Sequence, residues 1–244
     1  MLYTSPLASL IATAVRKAAN SLMRDFNEIE KIQNSLKNHR EFVANSYQKI
    51  ERELKKELLK VKPELDSFLI SPLDGIMNFA HGIGDFAISV AVCNGGKPVL
   101  GVIYCPIRDE LFFAEKGKGA FKEGVRNLER LRVSARKELK ESLVSVPVKN
   151  HEKAASLTDG VRSFGSVSLE LAYVASGKLD AVISLKNRPE DIAAGILLVK
   201  EAGGHIFEVG QKDTRDENII AVINSGDIIA VNANLNKAVY DLMK

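Results

Sequence analysis

Two aspartates stand in short sequence contexts that could support chemistry. Asp74 lies in the segment SPLDG, where Pro72 and Gly75 predict a tight turn that presents the carboxylate beside backbone N–H groups. Asp191 lies in the first turn of a helix predicted from EDIAAGILLVKEAGG, where the helix dipole favours negative charge. Exposed carboxylate oxygens of this kind could hold a metal ion. The structural alternatives also stay open, namely a turn aspartate at residue 74 and a helix-capping aspartate at residue 191.

The first half of the chain predicts helices followed by an antiparallel sheet. Residues 5–24 and 40–60 carry apolar side chains at helical spacing, which predicts two long amphipathic helices. Three strands are then predicted from FAISVAVC, VLGVIYC and LFFAEKG. Because only short turns separate these strands, we expect an antiparallel meander.

Helices and strands alternate in the second half of the chain. The predicted strands are ESLVSVPV, LDAVISL, HIFEV, NIIAVIN and DIIAVNA, and the predicted helices are SVSLELAYVASG, EDIAAGILLVKEAGG and NLNKAVYDLMK. Such alternation is typical of a sheet covered by helices. We therefore expect an α/β (α+β) protein, with an N-terminal α+β domain over residues 1–130 that carries the antiparallel sheet and SPLDG. A C-terminal α/β domain over residues 131–244 would carry EDIAAG.

Composition excludes several classes of protein. The 244 residues are 45% hydrophobic and 27% charged with a net charge of +3, which indicates a globular chain without the basic field of dedicated nucleic-acid binders. Cys93 and Cys105 lie in apolar strands and predict buried thiols in a reducing cytoplasm. No window reaches the roughly 18 uncharged apolar residues of a membrane span. We expect a cytoplasmic protein with no membrane partner.

Two motifs and three longer segments carry a family resemblance. SPLDGIMNF is similar to the motif Asp-Pro-x-Asp-Gly-Thr-x-Asn-Phe, and EDIAAG is similar to the motif Trp-Asp-x-Ala-Ala-Gly. GVIYCPIRDELFFAEKGKGAF, RSFGSVSLELAYVASGKLDA and IIAVNANLNKAVYDLM follow in matching order and spacing. In these segments the chain resembles the inositol monophosphatase family, including its bacterial extragenic-suppressor (SuhB) branch. The resemblance covers nearly the whole chain.

The resemblance implies a fold, a chemistry and a set of site residues. The fold is a layered alpha-beta-alpha-beta-alpha sandwich of the inositol monophosphatase/sugar phosphatase type. The chemistry is hydrolysis of an inositol or sugar phosphomonoester by clustered Mg²⁺ ions. Asp74 would be catalytic and a metal ligand, Asp191 a second metal ligand, and Ser71 stands at a third ligand position. Phosphate and substrate would contact Gly75, Ile76, Gly165, Ser166, Val167 and Ser184. Implied partners are a phosphorylated sugar or inositol, a second copy in a homodimer, and transcription machinery or RNA.

Departures from the family motifs concern the metal site. Ser71 replaces the first motif aspartate, Ile76 replaces the threonine that orients the attacking water, and Tyr47 aligns with a further family acid. Tyr47 lies on the apolar stripe of the second helix, so we predict that it is a core residue. The family's Gly-Glu-Glu motif has no counterpart, and Ser184 falls where relatives have a substrate-binding glutamate. Two remaining acids cannot neutralise several divalent ions, so we expect a single weak Mg²⁺ site or none. We therefore expect an inositol-phosphate phosphatase with weak or lost activity. The alternative is a non-catalytic regulatory or RNA- and transcription-associated protein on the same fold.

Several neighbouring features allow more than one interpretation. Lys186 and Arg188 could attract a phosphate ahead of the late motif or could belong to a solvated loop. Asp85 or Glu170 could replace a missing metal ligand. KGKGAF lacks the spacing of a phosphate-binding loop, so we predict a tight turn there.

Overall fold

The computed structural model describes residues 5–32, 39–61, 67–123, 128–210 and 218–242. Two long helices open it, α1 (Pro6–Ile32) and α2 (His39–Val61). Helix α1 continues past its predicted end at residue 24, because Phe26 and Ile29 extend its buried stripe. No helix in the described ranges is long and apolar enough to cross a membrane, and the cytoplasmic location stays a prediction.

The first sheet is a six-stranded antiparallel meander in the order β1 to β6. The expected meander is confirmed, and three strands that the sequence did not predict, β1, β5 and β6, extend it at both edges. The strands are β1 (Phe68–Asp74), β2 (Ala87–Asn94), β3 (Lys97–Cys105), β4 (Glu110–Glu115), β5 (Gly119–Glu123) and β6 (Leu128–Arg130). The short helix α3 (Ile76–Ala80) connects β1 to β2. Cys93 and Cys105 are free thiols on adjacent strands; Cys105 is buried as predicted, whereas Cys93 is partly exposed.

The second sheet is mixed, as the sequence predicted, and has the order β10-β11-β9-β7-β8. Strand β7 lies parallel to β8 and β9, and the other pairs are antiparallel. Its strands are β7 (Leu143–Ser145), β8 (Gly160–Val161), β9 (Ala181–Ser184), β10 (His205–Glu208) and β11 (Ile228–Val231). The helices of this half are α4 (His151–Leu157), α5 (Val167–Ala175), α6 (Pro189–Glu201), α7 (Ile219–Ser225) and α8 (Asn236–Leu242).

The prediction of a strand at NIIAVIN was wrong, because this segment forms helix α7. The Asn218 side chain accepts a hydrogen bond from the backbone N–H of Ala221 and caps the helix start. Ile219, Val222 and Ile223 then lie on one buried face at helical spacing. A short apolar run does not distinguish a strand from a buried helix, and here the cap decides.

The layers alternate as α-β-α-β-α, which confirms the expected sandwich. Helices α1 and α2 cover the outer face of the first sheet, and α4 and α8 cover the outer face of the second. Helices α5, α6 and α7 form the middle layer with the inner faces of both sheets. Gly101 of β3 lies against helix α6, so close that a Cβ there would be 2.9 Å from the Ala194 backbone. Helix α6 of the second half packs directly on the first sheet, so the two halves share one core. The division into domains at residue 130 stays a prediction.

The two middle helices meet at Gly195, which packs against Leu171 of α5. A Cβ at residue 195 would lie 2.5 Å from two carbon atoms of the Leu171 side chain, and Leu171 is fully buried. Leu171 therefore cannot move into solvent to make room. The late motif ends in glycine for this steric reason, and the contact sets the spacing of α5 and α6.

We expect Gly195→Ala to destabilise the fold by about 1–3 kcal/mol, the usual cost of overpacking a buried contact. Urea unfolding measures this loss. Gly84→Ala is the matched control, because its Cβ would meet only the side chain of Ile107, which is 37% exposed. Equal losses of unfolding free energy in the two variants would contradict the steric explanation.

Candidate functional site

Asp74 ends the edge strand β1 next to an irregularity in its pairing with β2. Ser71 pairs with Ser89 but Asp74 pairs with Ala87, so one extra residue is accommodated between them. Gly75 follows in a left-handed conformation with φ of 92°. A side chain at residue 75 would also lie 2.8 Å from the Asp85 carbonyl, so both conformation and space require glycine. The prediction of a tight turn over SPLDG was wrong for residues 71–74, which end strand β1; the chain changes direction at Gly75, directly after Asp74.

The Asp74 carboxylate lies at the N-terminal end of helix α5. Its Oδ2 accepts hydrogen bonds from the Ser166 hydroxyl at 2.6 Å, the Ser168 hydroxyl at 2.5 Å and the Ser168 backbone N–H at 2.7 Å. The sequence had indicated that the helix start near Ser166 could bind phosphate, and it did not indicate Ser168. In the structure these donors bind the protein's own carboxylate.

Burial nevertheless makes the charge on Asp74 costly. The residue is 9% exposed, and burial together with the nearby charge of Asp191 raises its pKa from 3.8 to about 6. The hydrogen bonds from Ser166 and Ser168 oppose this shift of the pKa without cancelling it. Asp74 is thus a carboxyl group that titrates close to neutral pH.

Asp191 uses both carboxylate oxygens in contacts within the protein. Arg188 Nε lies 2.9 Å from Oδ2 and Arg188 Nη2 lies 3.0 Å from Oδ1, a two-pronged ion pair. The Ser71 hydroxyl donates to Oδ1 at 2.6 Å. Pro189 is the first residue of helix α6, and Asp191 lies in its first turn, as predicted. Ser71 therefore reaches Asp191 by hydrogen bonding.

Tyr47 and Arg188 form contacts that the sequence did not suggest. Tyr47 was predicted to be core, and it packs against the core of the first sheet as a half-buried residue. Its hydroxyl also accepts a hydrogen bond from Arg188 Nη1 at 3.0 Å, which was not predicted. The guanidinium carbon lies 5.8 Å from the centre of the Tyr47 ring. Arg188 thus has specific partners in the protein although its side chain is 43% exposed, whereas Lys186 is an exposed loop residue. In the sequence, the only sign of the Arg188–Asp191 ion pair is that the two residues are three positions apart at the start of a helix.

A cavity of about 560 Å³ brings most of the predicted site residues together. Asp74 and Asp191 line it with Gly165, Ser166, Val167 and Ser184. Gly75 does not line it, and Ile76 faces a neighbouring cavity beside Tyr47. The structure therefore separates Ile76 from the other residues predicted to contact substrate, and the ligand-binding roles stay predictions.

Asn78, to which the sequence analysis gave no role, joins the two sides of the site. Its side-chain amide donates to the backbone carbonyls of Asp85 and Phe164, both at 2.6 Å. Gly165 has a φ of 71°, and a Cβ there would lie 2.8 Å from the Asn78 amide nitrogen. The central motif and the loop before α5 are thus held together by one side chain.

The candidate replacement acids have other partners. The Asp85 carboxylate pairs with Arg108 at 2.5 Å. Glu170 lines the cavity but is 7% exposed and accepts the backbone N–H of Phe164 at 2.8 Å, and burial raises its pKa. In KGKGAF, the Glu201 carboxylate accepts the backbone N–H groups of Gly117 and Gly119, both at 2.9 Å. This turn therefore holds an internal carboxylate.

The donor set fits a magnesium cluster poorly. Within the described residues, no three His, Cys, Asp or Glu side chains form a group that could hold a metal ion. Residues 62–66, where the sequence runs into the central motif without a Gly-Glu-Glu segment, lie outside the described residues. Both oxygens of Asp191 and one oxygen of Asp74 already accept hydrogen bonds. An ion bound by Asp191 would share this carboxylate with the Arg188 guanidinium, a positive charge 2.9 Å from Oδ2.

Comparison with known proteins identifies the family. Residues 8–242 match the inositol monophosphatase family. The chain belongs to this family. An inositol-1-monophosphatase of Rhizobium meliloti is 35% identical over 98% of this chain and 97% of its own length. The Nus factor SuhB of Escherichia coli is 32% identical over 98% of this chain and 99% of its own.

Solved structures of the inositol monophosphatase family agree with the layered fold. The extragenic suppressor protein suhB from Bartonella henselae superimposes with a TM-score of 0.83 at 33% identity, covering 99% of both chains. The inositol monophosphatase from Anabaena gives a TM-score of 0.79 at 27% identity, covering 97% of this chain and 94% of its own. The family predicted from the two motifs is therefore confirmed, together with its fold.

Asp74 should make the stability of the fold depend on pH. Because its pKa is raised from 3.8 to about 6, the folded chain binds this proton more tightly than the unfolded chain. The free energy of unfolding should therefore lose about 3 kcal/mol from this group as pH rises from about 3 to about 7. Urea unfolding in metal-free buffer should show this loss as a fall in the stability of the wild type relative to Asp74→Asn. A difference between the two curves that is constant with pH would contradict the prediction.

Proposed function

We propose that this chain has the fold of an inositol-monophosphatase-type phosphomonoesterase and that its metal-dependent hydrolysis of phosphomonoesters is weak or lost. The observation that carries the proposal is that the carboxylates of the two retained motif acids already accept hydrogen bonds from groups of the protein. Asp74 Oδ2 accepts three hydrogen bonds, and both oxygens of Asp191 accept at least one. These donors, and the Arg188 cation above all, compete with the ions that would activate water and stabilise the leaving oxygen.

The replaced residues support the same proposal. Ser71 supplies a neutral hydroxyl where the motif has an acid, and that hydroxyl is already donated to Asp191. Ile76 cannot hydrogen-bond a water at the threonine position, and it faces a different cavity. Asp74 Oδ1 accepts no hydrogen bond from the described residues, so a single weakly held Mg²⁺, completed by water and substrate phosphate, is the metal site proposed.

The ligand proposed for the cavity is a phosphorylated sugar or inositol. Support comes from the cavity volume of about 560 Å³ and from the positive charge of Lys186 on its wall. Relatives that match nearly the whole chain are named inositol-1-monophosphatases. We propose that such a ligand binds with slow turnover or none, and that the chain forms a homodimer as the family resemblance implies.

A second candidate function is a regulatory role on the same fold. It is supported by relatives named Nus factor SuhB, at 32% identity and up to 98% coverage of this chain. It is also supported by the contrast between an altered metal site and a well-packed scaffold, in which Gly195 and Leu171 meet without space to spare. We propose transcription machinery or its RNA as the partner in this case.

Purified protein assayed with inositol monophosphate and excess Mg²⁺ or Mn²⁺ should turn over at least about 100-fold more slowly than a relative assayed in parallel. Loss of supporting groups alone costs about 10–100-fold, and here ligand positions themselves are replaced. Asp74→Asn is the control, because it should remove any turnover that belongs to this site. Turnover comparable with the relative, and abolished by Asp74→Asn, would contradict the proposal of lost activity.

The regulatory candidate predicts a partner that does not need the acids of the cavity. Tagged protein should retain components of the transcription machinery, and Asp74→Asn should retain them equally. Recovery would be measured by quantitative mass spectrometry against a tag-only control. If no such component is enriched and turnover matches that of the relative, the second candidate is wrong.

A further inference from the structure

We infer that the Arg188 guanidinium is a resident cation, which takes the place of a metal ion at Asp191 and balances the charge of this side of the site permanently. The inference rests on the proposed function, in which the site lacks its metal cluster, and it deepens that proposal. It concerns what holds Asp191 in the absence of a divalent ion. Four side chains carry it, from helix α2, strand β1 and the start of helix α6.

The contact between Arg188 and Asp191 has the geometry of a strong ion pair. Nε and Nη2 of the guanidinium approach the two carboxylate oxygens at 2.9 and 3.0 Å, so both prongs are engaged. Asp191 is 8% exposed, and a carboxylate at that depth needs hydrogen-bond donors or a charged partner; Arg188 supplies both. Arginine stays protonated at every physiological pH, so the positive charge cannot leave in the way that a weakly bound ion can.

The residues around this pair fit a single positive charge. Tyr47 accepts from Nη1 at 3.0 Å, and Ser71 donates to Asp191 Oδ1 at 2.6 Å. These are two positions at which the family resemblance places acids. Each now carries a neutral hydroxyl, and each hydroxyl contacts one member of the ion pair. One guanidinium and one carboxylate sum to zero, so no further acid is needed here.

The remaining charges near Arg188 do not alter this balance. Glu190 Oε1 lies 3.5 Å from Arg188 Nη1, farther than the Asp191 oxygens. The Arg188 side chain is 43% exposed and that of Glu190 is 26% exposed, so solvent screens this contact more than the one with Asp191, whose side chain is 12% exposed. Asp74 is held by Ser166 and Ser168 instead. Lys186 is exposed, and its backbone N–H binds the Asp227 carboxylate at 2.8 Å. Within the described residues, Arg188 is thus the cation that contacts Asp191.

A first experiment tests the ion pair itself. In metal-free buffer, Arg188→Gln should lower Tm by about 5–10 °C, because it leaves Asp191 buried without its cation. The double variant Arg188→Gln/Asp191→Asn should recover part of that loss, because the uncompensated charge is gone. Arg132→Gln, at an exposed arginine, is the matched control and should change Tm by less than about 1 °C. An Arg188→Gln variant as stable as this control would overturn the inference.

A second experiment tests whether Arg188 excludes a metal. Ser71→Asp restores a motif acid, and it is made with Arg188 present and in the Arg188→Gln background. Thermal unfolding with about 5 mM Mn²⁺, against a matched ionic-strength control, should raise Tm by more than about 3 °C in the double variant only. Wild type and Ser71→Asp alone should shift by less than about 1 °C. An equal response in the two Ser71→Asp backgrounds, present or absent, would overturn the inference.

The outcomes separate this inference from the proposed function. Strong Mn²⁺ binding by the wild type that Asp191→Asn abolishes, without phosphatase turnover, would overturn the resident cation and leave the proposed function standing. Turnover by a wild type that shows no Mn²⁺-induced rise in Tm would overturn the proposed function and leave the resident cation standing. If Arg188→Gln does not fold, Arg188→Lys/Ser71→Asp replaces the double variant, because lysine keeps the charge but cannot form the two-pronged contact. That variant should bind Mn²⁺ more tightly than Ser71→Asp alone, and equal affinities would overturn the inference.

Discussion

Compensation of two buried carboxylates is the constraint on which the centre of this molecule depends. Asp74 and Asp191 are 9% and 8% exposed, and the charge of Asp191 raises the pKa of Asp74. In water each would be fully solvated, whereas here each must find donors or a cation inside the fold. The protein meets this need differently for each residue. Asp74 receives three hydrogen bonds at the start of α5, and Asp191 receives a guanidinium and a hydroxyl.

This compensation works only because the layers of the sandwich are held at fixed distances. Asp74 belongs to β1, its donors lie at the start of α5, and Asp191 belongs to α6. The positions of these three elements must therefore be fixed closely enough for hydrogen bonds to form between them. Contact of Gly195 with Leu171 sets α5 against α6, and contact of Gly101 with Ala194 sets α6 against the first sheet. Both contacts tolerate no added methyl group without displacement. The scaffold and the site are therefore linked through packing.

The sequence could predict features that depend on local pattern. Alternating apolar runs separated by short turns predicted the meander, and the glycine of SPLDG predicted the change of direction directly after Asp74. Helix α7 was missed because its apolar run is as compatible with a strand, and the cap at Asn218 is the deciding detail. Tyr47 was read as core from its helical stripe, although its hydroxyl reaches a residue 141 positions away. Contacts of that range depend on the assembled layers and have no local signature.

The partners of Asp191 show how the site stays ordered with hydroxyl groups at two positions where the family resemblance places acids. Replacing an acid by an apolar residue at position 71 would have left Asp191 Oδ1 one donor short. A hydroxyl is neutral but can donate, and Ser71 donates to Asp191. At position 47 the polarity required is the reverse, and the Tyr47 hydroxyl accepts from Arg188. The Ser71 hydroxyl thus completes the hydrogen bonding of the carboxylate, and the Tyr47 hydroxyl completes that of the guanidinium. The ion pair and the two hydroxyls form a neutral network of directional hydrogen bonds at positions where the family motifs have acids.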